Sequence, residues 1–255
     1  MASKDLTTIC LFDVDGTLTP SRNRIQPDMD NFLQELSKKV VVGVVSGSDL
    51  SKIAEQLASE GSSNLVEGLL KKYEYVFLEN GLVAYHNEEL ITKQSILKFC
   101  GEEKLQEFIN FTLQELSKLK LPAKRGNFIE FRSGLINVCP VGRSCSQAER
   151  DEFAAYDKEH NVRQNLVQKL KERFPDAGLN FAIGGQISID VFPIGWDKRF
   201  CLEKVIEKGF KTIHFFGDKT QPGGNDHEIF EDERTIGHTV KNPSDTIEQL
   251  TKMFF

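Results

Sequence analysis

Two carboxylates one residue apart follow a short apolar run near the start of the chain. Residues 9–12 are apolar, and Asp13, Asp15 and Gly16 come soon after them. The run predicts a buried strand, and open α/β sheets bind ligands at the carboxyl ends of their strands. If the strand continues through Val14, both carboxylates lie on one side, where they do not ionise together readily without a cation. The spacing indicates a bound metal ion or an acid/base pair with separated pKa values. The alternative is a strand followed by an ordinary Asp-Gly turn.

The elements that must position these residues follow from the hydrophobic pattern. A helix is predicted from near Pro27, and strands are predicted at the continuous apolar runs 40–45 and 75–78. A second helix, with Leu50 and Leu57 on its apolar face, lies between these strands. The order β-α-β-α-β is typical of a parallel sheet layered by helices, and the alternation resumes near the end of the chain.

The middle of the chain has a different pattern. Two alternating runs, 128–132 and 135–139, are separated by a Ser-Gly pair and predict a hairpin. Hairpins and helices without β-α-β alternation indicate an inserted α+β domain. We therefore predict an α/β fold in which a catalytic core domain is interrupted by a cap domain. The core comprises residues 1–85 and 195–255, and the cap comprises residues 86–194.

Composition limits the class of protein. The 255-residue chain has a formal net charge of −6, which argues against binding to nucleic acid or to a membrane surface. It has no apolar run of about 18 residues that could span a membrane, and its first residues lack the apolar region of a signal peptide. The five cysteines are scattered and never spaced C-x-x-C, which predicts buried free thiols in a reducing compartment.

A resemblance to a known superfamily connects four of these positions. The sequence Asp13-Val-Asp-Gly-Thr after an apolar run resembles the first motif of the haloacid dehalogenase superfamily of phosphotransferases. The other three motifs are matched in order by Ser46-Gly47-Ser48, by Lys198 and by Asp218. The resemblance implies a Rossmann-like core with a parallel sheet.

Each of these residue types suits phosphoryl transfer. Asp13 would be the nucleophile that forms an aspartyl-phosphate, and Asp15 would be the general acid/base for the sugar oxygen. Lys198 would add a positive charge beside the phosphate and the nucleophile. A serine hydroxyl of the second motif, together with helix N–H groups, can hold phosphate oxygens. Mg²⁺ held by Asp13, Asp218 and the backbone carbonyl of Asp15 would offset the negative charge.

Three arginines of the predicted cap, Arg132, Arg143 and Arg150, lie close together in sequence. Ser146 and Glu149 have the spacing of a capping box, which places Arg150 in the first turn of a helix, where it opposes the helix dipole. A bound anion would relieve this conflict, and arginine forks bind phosphate bidentately. We predict a second phosphate site in the cap. The alternative is a solvated polar face of the cap sheet.

Longer stretches are similar to eukaryotic phosphomannomutases, namely residues 12–19, 125–132, 142–146, 184–192 and 216–230. The resemblance implies interconversion of mannose 6-phosphate and mannose 1-phosphate through a hexose 1,6-bisphosphate, which also serves as activator. The product mannose 1-phosphate would supply GDP-mannose synthesis and glycosylation. The resemblance further implies a cytoplasmic homodimer joined through its caps, with small sugar phosphates as its other partners.

The same resemblance assigns further residues. The implied substrate-binding residues are Arg22, Arg132, Arg143, Arg150, Ser188 and Asp190. The implied additional metal contacts are the carbonyl of Phe230, Asp232 and Thr235. The family usually reads Gly-Gly-Ser-Asp where this chain has Ser46-Gly47-Ser48-Asp49, so Ser48 is the phosphate-binding candidate of the second motif.

Two other functions are compatible with these motifs. A sugar-phosphate phosphatase uses the same four core motifs but transfers the phosphoryl group to water, and the cap arginines weigh against it. A non-catalytic phosphosugar-binding protein would not need Asp13, Asp15, Lys198 and Asp218 together. The choice between mannose and glucose phosphates is not determined by the sequence.

Overall fold

The structure is a computed structural model that describes residues 3–21, 23–58 and 63–255. Arg22, one of the predicted substrate-binding residues, lies outside the described residues. The chain folds into two units. The first comprises the residues up to Lys93 together with Gly195–Phe255, and the second comprises Gln94–Ile194.

Strands and helices alternate at both ends of the chain but not in its middle. The strands are β1 (Asp5–Phe12), β2 (Val40–Val45), β3 (Tyr75–Leu78), β4 (Val83–His86), β5 (Glu89–Lys93), β6 (Ile129–Phe131), β7 (Ile136–Val138), β8 (Leu179–Gly184), β9 (Ser188–Pro193), β10 (Thr212–Gly217) and β11 (Ile236–Thr239). The helices are α1 (Pro27–Ser37), α2 (Leu50–Leu57), α3 (Leu65–Lys72), α4 (Ile96–Cys100), α5 (Glu102–Lys118), α6 (Gln147–His160), α7 (Val162–Arg173), α8 (Phe200–Glu207), α9 (His227–Phe230) and α10 (Pro243–Phe254).

The first unit is built on a seven-stranded sheet in the order β11-β10-β1-β2-β3-β4-β5. The five strands from β11 to β3 are parallel, and β1 lies between β10 and β2. Side chains of β1 alternate between two hydrophobic cores. Cys10 and Phe12 pack with residues of α1, α2, α3 and α10, whereas Ile9 and Leu11 pack with residues of α8 and α9. The sheet is therefore covered by helices on both faces, which explains the continuous apolar runs of its central strands.

The first predicted domain boundary is wrong by eight residues. Residues 85 and 86 both lie within β4, which pairs antiparallel with β3 and extends the main sheet, and β5 pairs with β4 in turn. The runs 82–85 and 90–92, which flank a polar turn, predict this antiparallel hairpin from sequence, but a hairpin can extend the edge of a parallel sheet as readily as it can begin a new domain. The second boundary, before Gly195, coincides with the predicted one.

The second unit has a four-stranded antiparallel sheet in the order β6-β7-β9-β8. Apolar side chains of β7 and β9 are fully buried on one face, among them Ile136, Val138 and Ile189. At the start of α6, Ser146 and Glu149 form the predicted capping box in both directions. The predicted α/β fold with an inserted α+β unit is thus confirmed.

The helices and the cysteines bear on the predictions drawn from composition. Among the described residues, no helix is both long enough and apolar enough to cross a membrane. All five cysteines are free thiols, and four of them are buried. The prediction of mostly buried free thiols is confirmed.

Candidate active site

Asp13 follows the last residue of β1, the middle one of the five parallel strands. Its backbone N–H donates a hydrogen bond to the carbonyl of Phe216 on β10 (2.9 Å). The Lys198 ammonium, which precedes α8, donates to Asp13 Oδ1 and also to Asp226 Oδ1 (2.5 Å). The side chains of Asp13, Lys198 and Asp226 are 7%, 1% and 0% exposed. The predicted nucleophile and lysine are therefore brought together in a buried ion-pair network.

A third carboxylate, Asp218, completes the cluster at the end of β10. Carboxylate oxygens of Asp13, Asp218 and Asp226 all lie within 4.8 Å of one another. Asp218 Oδ1 is buried and has no hydrogen-bond partner among the described residues. A Cβ atom on Gly16 would lie 2.4 Å from Asp218 Oδ2, so this close approach requires glycine. Three carboxylates and one ammonium leave two negative charges. The oxygen donors, the excess charge and the unpartnered oxygen fit a hard divalent cation.

Burial controls the ionisation of this cluster. Burial raises the pKa of Asp13 to about 6, an effect that the Lys198 charge opposes and the charges of Asp226 and Asp218 reinforce. Burial also raises the pKa of Asp218 above its usual value. Burial alone would lower the pKa of Lys198, but the two carboxylates that it contacts raise it instead. Lys198 is therefore charged at neutral pH, as charge neutralisation of a phosphate requires.

Asp15 lies in a different environment from Asp13, because β1 ends at Phe12 and does not continue through Val14. Its Oδ1 accepts a hydrogen bond from the amide Nε2 of Gln56 (2.9 Å), and its Oδ2 lies 3.8 Å from Lys52 Nζ. Both partners lie on α2, one turn apart. The Asp15 carboxylate is thus held by α2 and stays outside the carboxylate cluster.

The loop after β2 carries the second motif. Ser46 donates its backbone N–H to Phe77 (2.9 Å) and accepts at its carbonyl from Asn80 N–H (2.9 Å), so β3 and its following turn hold the loop. The Ser46 hydroxyl accepts from Ser48 N–H (3.1 Å), whereas the half-buried Ser48 hydroxyl accepts from Lys52 Nζ (2.9 Å). Ser46 therefore stabilises the loop, and Ser48 lies beside a cationic side chain.

The three additional metal contacts predicted from the family lie around the end of α9. Both carboxylate oxygens of Asp232 accept from Arg234, at 2.7 Å each. Thr235 Oγ1 donates to the carbonyl of Ile229 (2.6 Å). Among the described residues, Asp232 does not join the carboxylates that surround Asp13.

Two of the predicted cap arginines pair with Glu130 in the second unit, and the third contacts the backbone of Arg143. Arg132 donates to Glu130 through Nε (3.2 Å) and Nη2 (3.1 Å), and Arg143 Nε lies 2.6 Å from Glu130 Oε2. Arg150, in the first turn of α6, donates to the carbonyl of Arg143 (3.2 Å). The hydrogen bond from Arg132 lowers the pKa of Glu130. Two guanidinium groups pair with one carboxylate and a third contacts the backbone beside them, which leaves excess positive charge for an anion.

The two predicted sugar-binding residues, Ser188 and Asp190, lie on β9 in the same unit. Asp190 Oδ1 accepts from Asn137 Nδ2 (2.6 Å), and Asn137 Oδ1 accepts from Arg143 Nη1 (3.2 Å). Ser188 is buried beside Cys139, next to the β8–β9 turn. One polar network thus joins Asp190 to the arginines.

Four residues of these sites were not identified from sequence. Asp226 belongs to a Gly-Gly-Asn-Asp run that we interpret as a turn, and the turn is present, but its last residue points a carboxylate at Lys198. Lys52 and Gln56 contact Asp15 from α2. Asn137 is the only polar residue between Leu135 and Cys139. A polar residue inside an apolar run is the signal that could have identified Asn137.

Comparisons with known proteins identify the family to which the chain is similar. A family model described as eukaryotic phosphomannomutase matches residues 29–255. The chain is 57% identical over 254 residues to a phosphomannomutase of Glycine max, covering 100% of this chain and 99% of that one. It is 59% identical over 246 residues to a phosphomannomutase of Dendrobium officinale, covering 96% and 94%. Among solved structures, an IMP-bound mutant of Plasmodium falciparum IMP-nucleotidase has a TM-score of 0.59 at 18% identity, covering 97% of this chain and 66% of that chain. At this low sequence identity, the similarity to the nucleotidase shows a shared fold and nothing about function.

Proposed function

This chain belongs to the eukaryotic phosphomannomutase family, with a haloacid dehalogenase-type core, and we propose that it interconverts mannose 6-phosphate and mannose 1-phosphate. The observation that carries the proposal is the buried Asp13 carboxylate, held by Lys198 at the end of the middle parallel strand β1. A carboxylate in this setting can act as a nucleophile because the neighbouring ammonium offsets the charge of an incoming phosphate.

The reaction passes through a phosphorylated Asp13. In each half, one P–O bond forms as another breaks. The sugar monophosphate takes the phosphoryl group from Asp13 to form a hexose 1,6-bisphosphate, which returns its other phosphoryl group to Asp13. The catalytic bisphosphate serves as activator because it loads Asp13 at the start.

Asp15 moves the proton in both halves. As a base it accepts the proton of the attacking sugar hydroxyl, and as an acid it returns this proton to the leaving sugar oxygen. The contacts from Gln56 and Lys52 hold its carboxylate in place for both roles. Ser48 and the first N–H groups of α2 bind the oxygens of the transferred phosphate.

We also propose Mg²⁺ as the cation of the carboxylate cluster. Asp13, Asp218 and the carbonyl of Asp15 would hold it, whereas both Asp226 oxygens are already hydrogen-bonded, one to Lys198 and one to the N–H of Lys219 (3.0 Å). When bound, Mg²⁺ offsets negative charge on the phosphate and the nucleophile. The role of Asp226 is then to hold Lys198.

A separate cation at the carbonyl of Phe230, Asp232 and Thr235 also remains a proposal. Because Arg234 occupies both carboxylate oxygens of Asp232, such a cation would have to displace that guanidinium. Calorimetric titration with Mg²⁺ tests this proposal. The wild type should bind two cations per chain, and Asp232→Asn should bind one.

The network around Glu130 supports a mutase over a phosphatase. We propose that Arg132, Arg143 and Arg150 bind the phosphate that is not being transferred. A contact of Arg22 with substrate phosphate is proposed on the family resemblance alone. Ser188 and Asp190 would bind sugar hydroxyls. A phosphatase needs only one phosphate site, so a second anion site is a specific requirement of a bisphosphate intermediate.

The cellular role is proposed on the family alone, whereas one observation supports the proposed assembly. Phe131 on the edge strand β6 is 50% exposed, which suits a homodimer joined through the inserted units. We propose a cytoplasmic enzyme that supplies mannose 1-phosphate for GDP-mannose synthesis and glycosylation. A change from dimer to monomer in Phe131→Glu, measured by light scattering, tests the interface.

Product analysis tests the reaction itself. The protein is incubated with mannose 1-phosphate, Mg²⁺ and a catalytic amount of hexose 1,6-bisphosphate, and we expect mannose 6-phosphate as the main product. If free phosphate is the main product, the protein is a sugar-phosphate phosphatase and the mutase assignment is wrong. Glucose 1-phosphate in a parallel reaction measures the sugar preference.

A further inference from the structure

A row of polar side chains crosses the sheet of the second unit. Glu130 on β6 pairs with Asn137 on β7, and Asn137 pairs with Asp190 on β9. Residues directly opposite each other on neighbouring strands point to the same face of the sheet. Two carboxylates therefore lie in one row with a neutral amide between them. Asn137, at the centre, is 3% exposed.

Hydrogen bonds fix the orientation of this amide. Asn137 Nδ2 donates to Asp190 Oδ1 (2.6 Å), and Asn137 Oδ1 accepts from Arg143 Nη1 (3.2 Å). A carboxylate can only accept and a guanidinium can only donate, so the reverse orientation of the amide would break both bonds. Asparagine is thus matched to an anion on one side and to a cation on the other.

The amide leaves one polar atom of each partner for a ligand. Within residues 3–21, 23–58 and 63–255, Asp190 Oδ2 and Arg143 Nη2 have no hydrogen-bond partner. A Cβ on Gly184 would lie 3.1 Å from Asp190 Oδ2, so the glycine keeps this oxygen accessible. One acceptor suits a sugar hydroxyl, and one donor suits a phosphate oxygen.

We propose that Asn137 is a positioning residue for sugar-phosphate binding, which sets the spacing between the hydroxyl acceptor of Asp190 and the phosphate donor of Arg143. Without the amide, these opposite charges can pair directly with each other, which removes both from the ligand. The proposal rests on the proposed function, because it assigns Asp190 and Arg143 to the substrate.

Asn137→Asp is the primary test, because it preserves shape but adds a third carboxylate to the row. We expect the Kd for mannose 1-phosphate, measured by calorimetry, to rise at least about tenfold. KM should rise with it, whereas phosphorylation of Asp13 by a small acyl phosphate should keep the wild-type rate. Asn180→Asp is the matched control, since residue 180 is exposed on β8 of the same sheet and makes no contact with this network. Its Kd should stay within twofold of the wild type.

Asn137→Ser, which removes both hydrogen bonds without adding charge, provides the second test through double-mutant cycles. If Asn137 acts through its neighbours, its effect on Kd should be at least about threefold smaller on an Asp190→Ala or an Arg143→Ala background than in the wild type. An effect on both backgrounds as large as that in the wild type would overturn the proposal, because a purely structural role is independent of these side chains.

The outcomes also separate this proposal from the proposed function. A wild-type protein that binds no sugar monophosphate rejects the proposed function, and the role of Asn137 with it. A wild type that binds mannose 1-phosphate, while Asn137→Asp binds it within twofold as tightly, rejects the role of Asn137 alone.

Discussion

At the scale of single residues, the buried lysine determines how the candidate site responds to substitution. Lys198 makes ion pairs with Asp13 and with Asp226, and either carboxylate can keep its charge compensated when the other is removed. Removing one partner of an isolated buried pair is strongly destabilising, because it leaves an uncompensated charge. The second carboxylate protects the fold from this cost.

Asp13→Asn should therefore separate activity from stability. The amide cannot attack phosphorus, so we expect turnover to fall by at least about 10³-fold. The free energy of unfolding should change by less than about 2 kcal/mol, because Lys198 retains Asp226. Turnover is measured with mannose 1-phosphate and stability by urea unfolding. Activity within tenfold of the wild type would remove Asp13 from the mechanism.

Gly16→Ala tests the close approach of Asp218. The added Cβ would lie 2.4 Å from Asp218 Oδ2, at a residue whose φ is +85°. We expect Mg²⁺ affinity, measured by calorimetry, to fall at least about tenfold because Asp218 must move. Gly209→Ala is the matched control, since its φ of +84° carries the same backbone strain but its Cβ would meet nothing within 4 Å. An equal fall in Mg²⁺ affinity in the two variants would show that backbone strain, and not the contact with Asp218, lowers the affinity.

At the scale of elements, a pair of histidines couples β10 to its edge neighbour β11. His214 Nδ1 and His238 Nε2 are 3.0 Å apart, and the His238 ring stacks on Phe216. Burial, together with the neighbouring His214, lowers the pKa of His238 from 6.5 to about 4. Between about pH 4 and pH 6.5, His238 is therefore mostly neutral in the folded chain and mostly protonated in the unfolded chain.

This shift predicts loss of stability in mild acid. Between pH 4 and 6.5 the unfolded state binds more protons at this residue, so the free energy of unfolding rises with pH through that window and falls on acidification. We expect a loss on the order of 1 kcal/mol between about pH 7 and pH 5, measured by urea unfolding. His238→Asn should reduce this loss. His160→Asn, at a histidine with 43% exposure, should retain it, and equal behaviour of the two variants would contradict the assignment.

The elements also show how far sequence reasoning extends. The resemblance to the superfamily predicts Asp13, Lys198 and Asp218 together because its motifs match in order, and the apolar run before Asp13 independently marks a strand end. Asp226 and Asn137 were not predicted, since their contacts depend on which turn or strand lies opposite them. The hairpin β4–β5 was recognised, but its attachment to β3 was not, because pairing partners are not encoded in the local pattern.

At the scale of the whole molecule, the candidate chemistry is divided between the two units. The carboxylate cluster belongs entirely to the first unit, and the arginine network belongs entirely to the second. Each unit has its own sheet and its own buried core. Substitutions in the second unit should therefore change binding without disturbing Asp13.

Arg150→Ala tests this division. Loss of its charge-assisted hydrogen bonds should weaken binding of mannose 1-phosphate by about 10- to 100-fold, while phosphorylation of Asp13 by an acyl phosphate keeps the wild-type rate. Arg173→Ala is the control, because Arg173 pairs with Glu107 at a half-exposed position of the same unit. Unchanged affinity together with a lowered melting temperature would make Arg150 a structural residue.

The position of β1 in the sheet has a consequence for biosynthesis. Asp13 and Lys198 are 185 residues apart, and β1 acquires its neighbour β10 only after the inserted unit has been translated. At about 5–20 residues per second, a ribosome needs about 10–40 s to cover that distance. During this interval the nascent β1 carries an unpaired edge, the kind of surface that chaperones protect from aggregation. The nucleophile is synthesised early and acquires its ammonium partner late.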